Sequence, residues 1–407
     1  MSCRSRLLTL LFLTALLVVA GCREEIDPDH DGFIKESSPE LRVLLFEGEG
    51  PLVVSVPDGA VIRNDDGETI YTVPPRYDLV FRQGESGGLL VNGEWLGKRR
   101  VTIIPKEGGD EPPRLLVAGS PYRGSLLVRS TEAGSLQFIN RIATEDYLRG
   151  VLPRETFASW PADALRSQAV VSRSYALARY AEEPKAIYHL HADISSQVYG
   201  GYFSEDPRTD AAIEETAGEV LAADGRIITT FFHSTCGGHT AAIDDVWLDA
   251  ERRPFFSGVE CPWCVDSTNH DWTLTVGYDD VYRALATGGY LTAPFTGLQP
   301  KRNSRTGRVR SVVFTTEGGG SVEVSGNELR RLLGYSELKS TRFSFTASGD
   351  NLIFTGEGYG HGVGLCQWGS RGMAAAEYGY KEILNYYYPG AGIAQWSAIA
   401  PVNLGDE

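Results

Sequence analysis

Three stretches of this 407-residue chain hold side chains whose types and spacing could do chemistry. In Val151-Leu152-Pro153-Arg154-Glu155-Thr156-Phe157-Ala158-Ser159-Trp160-Pro161 one acidic side chain, Glu155, sits in a turn made of prolines and apolar residues. A carboxyl group held among Val151, Leu152, Phe157 and Trp160 loses hydration, so its pKa rises and it can act as a general acid near neutral pH. The second stretch is His233-Ser234-Thr235-Cys236-Gly237-Gly238-His239, followed by Cys261-Pro262-Trp263-Cys264. Cys236, His239, Cys261 and Cys264 offer three thiolates and one imidazole, a ligand set for tetrahedral zinc, with His233 as the alternative imidazole. A disulfide between Cys261 and Cys264 is the competing account in an exported chain. Four protein ligands leave no open position for water, so such a zinc would be structural.

The third stretch is Gly356-Glu357-Gly358-Tyr359-Gly360-His361-Gly362-Val363-Gly364-Leu365-Cys366-Gln367-Trp368-Gly369. Its glycines let the backbone approach a ligand closely, and it presents His361, Gln367 and Trp368, a hydrogen-bonding and stacking set suited to sugar rings. No frame of it satisfies G-x-G-x-x-G and no Gly-Lys-Ser/Thr follows, which argues against a nucleotide cradle.

The elements that must position these groups begin after an export segment. Arg4-Ser5-Arg6 precedes an apolar run from Leu7 to Ala20, too short to span a bilayer, and Val19-Ala20-Gly21-Cys22 matches the lipobox of a bacterial lipoprotein. The expected domains are a signal peptide over 1–21, a polar linker over 22–40 that starts at the lipidated Cys22, and a β-rich domain over 41–120. A larger domain over 121–395 and a tail over 396–407 follow. Asp27-x-Asp29-x-Asp31-Gly32 lacks the glutamate that a calcium loop needs at its twelfth position, which is Ser38. Short apolar runs such as Leu52-Val53-Val54-Ser55-Val56 and Leu79-Val80-Phe81, separated by Gly, Pro and Asp, read as strands. A helix is expected from Thr144, as N-cap, and a longer one from Pro161 to about Ala181. Strands and helices do not alternate regularly, so the fold class is α+β. The net charge of -15, with no basic block, argues against nucleic acid and is compatible with a neutral or weakly charged glycan.

Together these segments resemble the SpoIID/LytB family. The resemblance is carried by Asp146-Tyr147-Leu148-Arg149-Gly150-Val151 with Pro153-x-Glu155, and by Trp160-Pro161-x-x-Ala164-Leu165-x-x-Gln168-Ala169-Val170 with Arg173-Ser174-Tyr175-Ala176-Leu177. It continues in Phe232-His233-Ser234-Thr235-Cys236-Gly237-Gly238, Asp245-Val246-Trp247, the glycine-rich stretch from Gly358, and the tail motif Ile383-Leu384-x-x-Tyr387-Tyr388-Pro389-Gly390. It implies a SpoIID-type domain preceded by a small mostly-β region, and a lytic transglycosylase that cuts the glycan of peptidoglycan with Glu155 as its one general acid and base. It also implies that Arg173, Ser174, His361, Gln367 and Trp368 line the sugar groove. The LytB side of the family implies the alternative, a non-catalytic wall-binding module that stimulates a cell-wall amidase. The chain departs from the family pattern at Cys366, where serine is usual. From the signal and lipobox, the expected location is the periplasmic side, as an exported lipoprotein whose anchor the sequence also allows in the outer membrane, with the membrane reached only through that lipid.

Overall fold

The computed structural model describes residues 39–84, 87–108 and 111–399. The expected signal peptide, Cys22 and all of the linker before residue 39 lie outside the described residues, as does the end of the tail from residue 400.

The described residues form an α+β structure. Its first part is a β-sandwich. One sheet has seven strands, in spatial order Leu190–His191, Glu40–Gly48, Leu136–Ala143, Ser125–Ser130, Arg100–Pro105, Ala60–Arg63 and Thr69–Val73. The facing sheet has six, built around Leu52–Val56 and Tyr77–Gln83. Alternation sets the two faces: in Ser125–Ser130, Leu126 and Val128 are buried, while Ser125, Leu127 and Arg129 point the other way. Val54, Phe81 and Leu89 of one sheet close on Ile62, Ile103, Val128 and Phe138 of the other, with Phe81 and Phe138 edge to face at 5.8 Å. Both sheets draw strands from either side of residue 120: Ser120–Arg123 completes the six-stranded sheet, and Ser125–Ser130 and Leu136–Ala143 lie inside the seven-stranded one.

Helix α1, Thr144–Glu155, follows directly from the strand that ends at Ala143. Thr144 is its first residue rather than its N-cap, because the hydroxyl donates to the Pro39 carbonyl (2.9 Å) and ties the helix start to the chain entering the sandwich. Helix α2, Ala162–Glu182, begins just after Pro161, as proline at a helix start favours. Its stripe of small and apolar residues, Ala169, Ala176 and Leu177, packs with Tyr147, Leu148 and Val151 of α1 and with Leu41, Val43 and Ile142 at the sandwich end. A second core gathers Val170, Val171, Cys236, Leu365, Ile383, Leu384 and Tyr388, and a third, around Trp272, Phe314 and Phe354, belongs to the two three-stranded sheets between residues 271 and 357. Between residues 226 and 233 the chain is strand only at Arg226–Ile227 and Phe232–His233. The latter pairs in parallel with Leu365–Cys366, bringing the second and third chemical stretches of the sequence together.

Candidate functional site

Glu155 is the last residue of α1, not part of a free turn. Pro153 inside the final turn has no N–H to give, and Thr156 leaves the helix with extended backbone. The Glu155 side chain is half-buried, and its Oε1 accepts from the Val198 amide at 2.8 Å. Burial pushes the carboxyl pKa up, against the smaller opposing pulls of that amide and of Arg154. Oε2 has no hydrogen-bond partner among the described residues.

A helix end leaves carbonyls without partners, and Gln367 supplies one. Its Nε2 donates to the backbone oxygen of Glu155 at 2.8 Å and to Gln168 Oε1 of α2 at 3.3 Å. Gln168 in turn donates to Ser172 at 3.1 Å. Beside this buried chain runs an aromatic rim. Phe157 is 62% exposed and stacks obliquely on Trp160, whose ring meets Trp368 at 5.4 Å, and the Arg371 guanidinium lies 5.1 Å over Trp368. Phe157 was expected to bury Glu155 and instead faces solvent, where an apolar ring is available to a sugar face. The structure therefore brings Gln367 and Trp368 to Glu155, with Trp160 and Gln168 beside them.

Two of the residues expected in the groove are buried in structural contacts, and a third, His361, is half-buried in an aromatic cluster. Arg173 has no exposed surface, and its guanidinium is consumed by Glu145 (2.9 and 2.7 Å), Ile213 O, Glu219 O and Thr216. It fastens α2 to the start of α1 and cannot touch a polymer. Ser174 is buried as well, donating to Val170 O (2.6 Å) and accepting from Leu221 N (2.8 Å). His361 packs among Phe231, His233 and Trp247, at ring separations of 6.1, 5.5 and 5.3 Å. Its Nδ1 accepts from Val363 N at 3.0 Å, and burial together with Arg330 pushes its pKa down to about 3, so the ring is neutral.

The thiol cluster also differs from expectation. Cys236, Cys261, Cys264 and Cys366 are all buried and free, and their sulfur atoms all lie within 4.8 Å of one another. Cys366, not His239, is the fourth member. His239 turns its Nδ1 to the Thr240 carbonyl at 2.6 Å, and the alternative, His233, points Nδ1 at Val363 O at 3.2 Å. The parallel pairing of Phe232–His233 with Leu365–Cys366 is what delivers Cys366, a contact 130 residues long in sequence. Cys261 and Cys264 are not disulfide-bonded.

The cluster suits a metal. Four sulfurs bound about 2.3 Å from one ion stand about 3.8 Å apart in a tetrahedron, within the observed 4.8 Å, and Cys236 and Cys264 are at 3.5 Å. Amides of Cys236 and Gly369 both donate to Cys366 Sγ at 3.3 Å, the kind of support that thiolate ligands receive. Burial pushes the Cys236 and Cys366 thiols well up, while S–H donation from Cys236, Cys261 and Cys366 pulls Cys264 well down. A bound cation would favour the thiolate form of its ligands. Close packing explains two glycines here: a Cβ at Gly369 would lie 2.7 Å from Cys261 Sγ and 2.0 Å from the Tyr387 hydroxyl. One at Gly362 would lie 2.5 Å from the guanidinium carbon of Arg308. Arg308 is fully buried beside the cluster and donates to Cys236 O at 2.7 Å.

Residues 132–222, which include α1, Glu155 and α2, match the family described as Stage II sporulation protein, SpoIID. These residues are a SpoIID-family domain, and the chain is similar to members of the SpoIID/LytB family. It is 26% identical over 347 residues to the stage II sporulation protein D of Bacillus subtilis, covering 81% of the chain and 93% of that relative. It is 26% identical over 291 residues to the amidase enhancer of the same organism, a match over 61% of the chain and only 40% of that longer protein. An uncharacterized protein of Brachyspira hyodysenteriae is 28% identical over 313 residues, 77% of the chain and 81% of the relative. Residues 267–364, which hold the third core, match a domain of unknown function. Two participants carried no individual signal in the sequence: the Val198 amide, being backbone, and Trp160, which reads there as a burying residue. Gln168 stands inside a matched motif and was legible only through it.

Proposed function

We propose that this protein is a peptidoglycan lytic transglycosylase whose single general acid and base is Glu155. The family supports a cell-wall-related function; the observation that carries the finer reading is the half-buried Glu155 carboxyl, with a raised pKa, one oxygen held by Val198 N–H and the other without a partner among the described residues. Oε2, as the protonated oxygen, donates to the glycosidic oxygen as the bond from C1 of N-acetylmuramic acid breaks. The C6 hydroxyl of the same sugar then adds to C1 and gives its proton to the Glu155 carboxylate, restoring the acid and leaving a 1,6-anhydro end. Neither water nor a second carboxylate is consumed, which fits a site where no second acid accompanies Glu155 among the contacts described. Phe157, Trp160 and Trp368 provide faces for sugar rings, and Gln367 holds the helix end that carries the acid. The test is mass spectrometry of purified sacculi and of glycan stripped of peptides after incubation with the protein. Anhydro ends are expected with the native chain and not with Glu155→Gln; equal yields from both would end the catalytic reading.

The match to an amidase enhancer favours a second reading, a wall-binding module that stimulates an amidase without cutting glycan. It predicts no anhydro ends from the native chain and faster peptide release when a cell-wall amidase is added. In either reading the four cysteines would hold a structural zinc, and the chain would be exported and anchored through a lipid on Cys22.

A further inference from the structure

Arg154, the residue before Glu155, is a cation that the proposed chemistry does not use. It stands in the last turn of α1 with its side chain exposed. Its guanidinium makes no hydrogen bond and no ion pair within 4.0 Å among the described residues. The arginines around it are taken. Arg149, earlier on the same helix, pairs with Asp146, Asp210 and Glu214 at 3.7, 2.7 and 2.8 Å. Arg371, beside the aromatic rim, lies over Trp368 and 3.4 Å from Asp266. Of these three, only Arg154 has its charge available to a ligand.

The loop that steadies Glu155 also places this charge. It sends the Val198 amide to Glu155 Oε1 at 2.8 Å, and two residues further on it passes the stem of Arg154. Gly200 makes room there: a Cβ on it would lie 3.1 Å from Arg154 Cδ and 1.9 Å from Ser204 Oγ. The loop turns at Gly201, which takes a φ of 63° that favours glycine, and then presents Phe203, 78% exposed. A basic residue suits any helix C-terminus. Next to a general acid, however, it carries a cost, because its field opposes the rise in the Glu155 pKa. A cation kept in that position calls for a partner that brings negative charge into the site.

The glycan strand has such a group on every second sugar. N-acetylmuramic acid carries a lactyl ether that N-acetylglucosamine lacks, and where no peptide is attached the lactyl ends in a free carboxylate. Both sugars offer a C1, a C6 hydroxyl and a ring face, so aromatic stacking at Phe157, Trp160 and Trp368 would accept a strand shifted by one sugar. Only the lactyl group tells the two registers apart, and the planar fork of an arginine matches a carboxylate.

We propose that Arg154 holds the lactyl carboxylate of the N-acetylmuramic acid at Glu155 and so sets which glycosidic bond meets the acid. The proposal rests on the reading of Glu155 as a glycan site. The bound carboxylate also offsets the charge that Arg154 brings beside the acid.

The experiment uses the Glu155→Gln protein, which does not consume its ligand, with and without Arg154→Gln. Binding is measured by isothermal titration to amidase-stripped glycan and to the same glycan with its carboxylates converted to methyl esters. Arg154→Gln is expected to weaken binding to stripped glycan at least about fivefold and to leave binding to the ester unchanged. Esterification should weaken binding by the same factor where Arg154 is present and not at all where it is replaced. Melting temperatures of the two forms should agree, because Arg154 is exposed and unbonded. Equal binding of stripped glycan by both forms, an equal loss on the ester, or indifference to esterification with Arg154 present overturns the subsite. Anhydro ends are scored separately on the chain with Glu155 intact. Their absence, together with binding that depends on both the carboxylate and Arg154, sinks the transglycosylase reading and leaves the subsite standing; anhydro ends with binding indifferent to the ester sink the subsite alone.

Discussion

The glutamate site and the thiol cluster meet at neighbouring residues of the chain, Gln367 and Cys366, yet they are opposite kinds of site. Glu155 is half-buried, holds one oxygen on an amide and leaves the other unpartnered among the described residues, with the exposed Phe157 ring and two half-buried tryptophans alongside. The four cysteines are wholly buried, within 4.8 Å of one another, and packed by glycines that admit no Cβ. An open, partly desolvated carboxyl has the setting of a proton-exchanging group, whereas four buried sulfurs so close together could hold a metal ion. Cys366 is the hinge of the contrast, because the residue that closes one site also aims Gln367 at the other.

The contrast breaks most sharply at Glu155. Glu155→Gln should lower anhydro-product formation about a thousandfold while far-UV circular dichroism stays native; a folded variant with unchanged rate would make the open site ordinary surface. Next in size is the closed site. Cys264→Ser should abolish stoichiometric metal in the purified protein and lower its melting temperature by many degrees, and His239→Ala should do neither. Metal lost from His239→Ala but kept by Cys366→Ser would restore the ligand set expected from spacing.

Arg173→Ala tests whether that residue serves structure instead of sugar. Removing one partner of a buried pair costs about 3 to 5 kcal/mol, so urea unfolding should show a large loss of stability. Lower activity at native stability would return Arg173 to the groove. Gln367→Ala removes only a cap on a helix carbonyl, about 1 kcal/mol, and should reduce turnover roughly tenfold or more by loosening Glu155. Turnover equal to the native chain would separate the two sites.

The smallest effect is on pH dependence. A carboxyl whose folded pKa is raised holds its proton where the unfolded chain has released it, so Glu155 costs stability as pH rises from its ordinary value of 4.5 through the raised folded value. Glu155→Gln should therefore gain stability relative to the native chain across that window and show no gain below it. A gap in melting temperature that is flat with pH would mean the carboxyl is not desolvated.

Much of this was legible in the residues. The α1 and α2 segments and the strand runs of the sandwich follow from local periodicity and turn residues. The Pro/apolar setting of Glu155 pointed to a shifted carboxyl, and the family motifs named Gln367 and Trp368 as its companions. Spacing misled at the cysteines, because Cys236-x-x-His239 is a knuckle in sequence while Cys366, 130 residues from Cys236, is the sulfur that completes the cluster. It misled again at Arg173 and Ser174, which share a motif with groove residues but face the opposite side of α2.

The sequence by itself determined the elements, the acid and the sulfur count, because helix and strand periods, proline positions and residue chemistry act over a few neighbours. Which sulfurs meet, which arginine is buried and which amide holds Glu155 were decided only by tertiary structure. Those contacts join residues 28 to 130 positions apart, and no local rule constrains them until the parallel pairing at Leu365–Cys366 and the packing of α2 are in place.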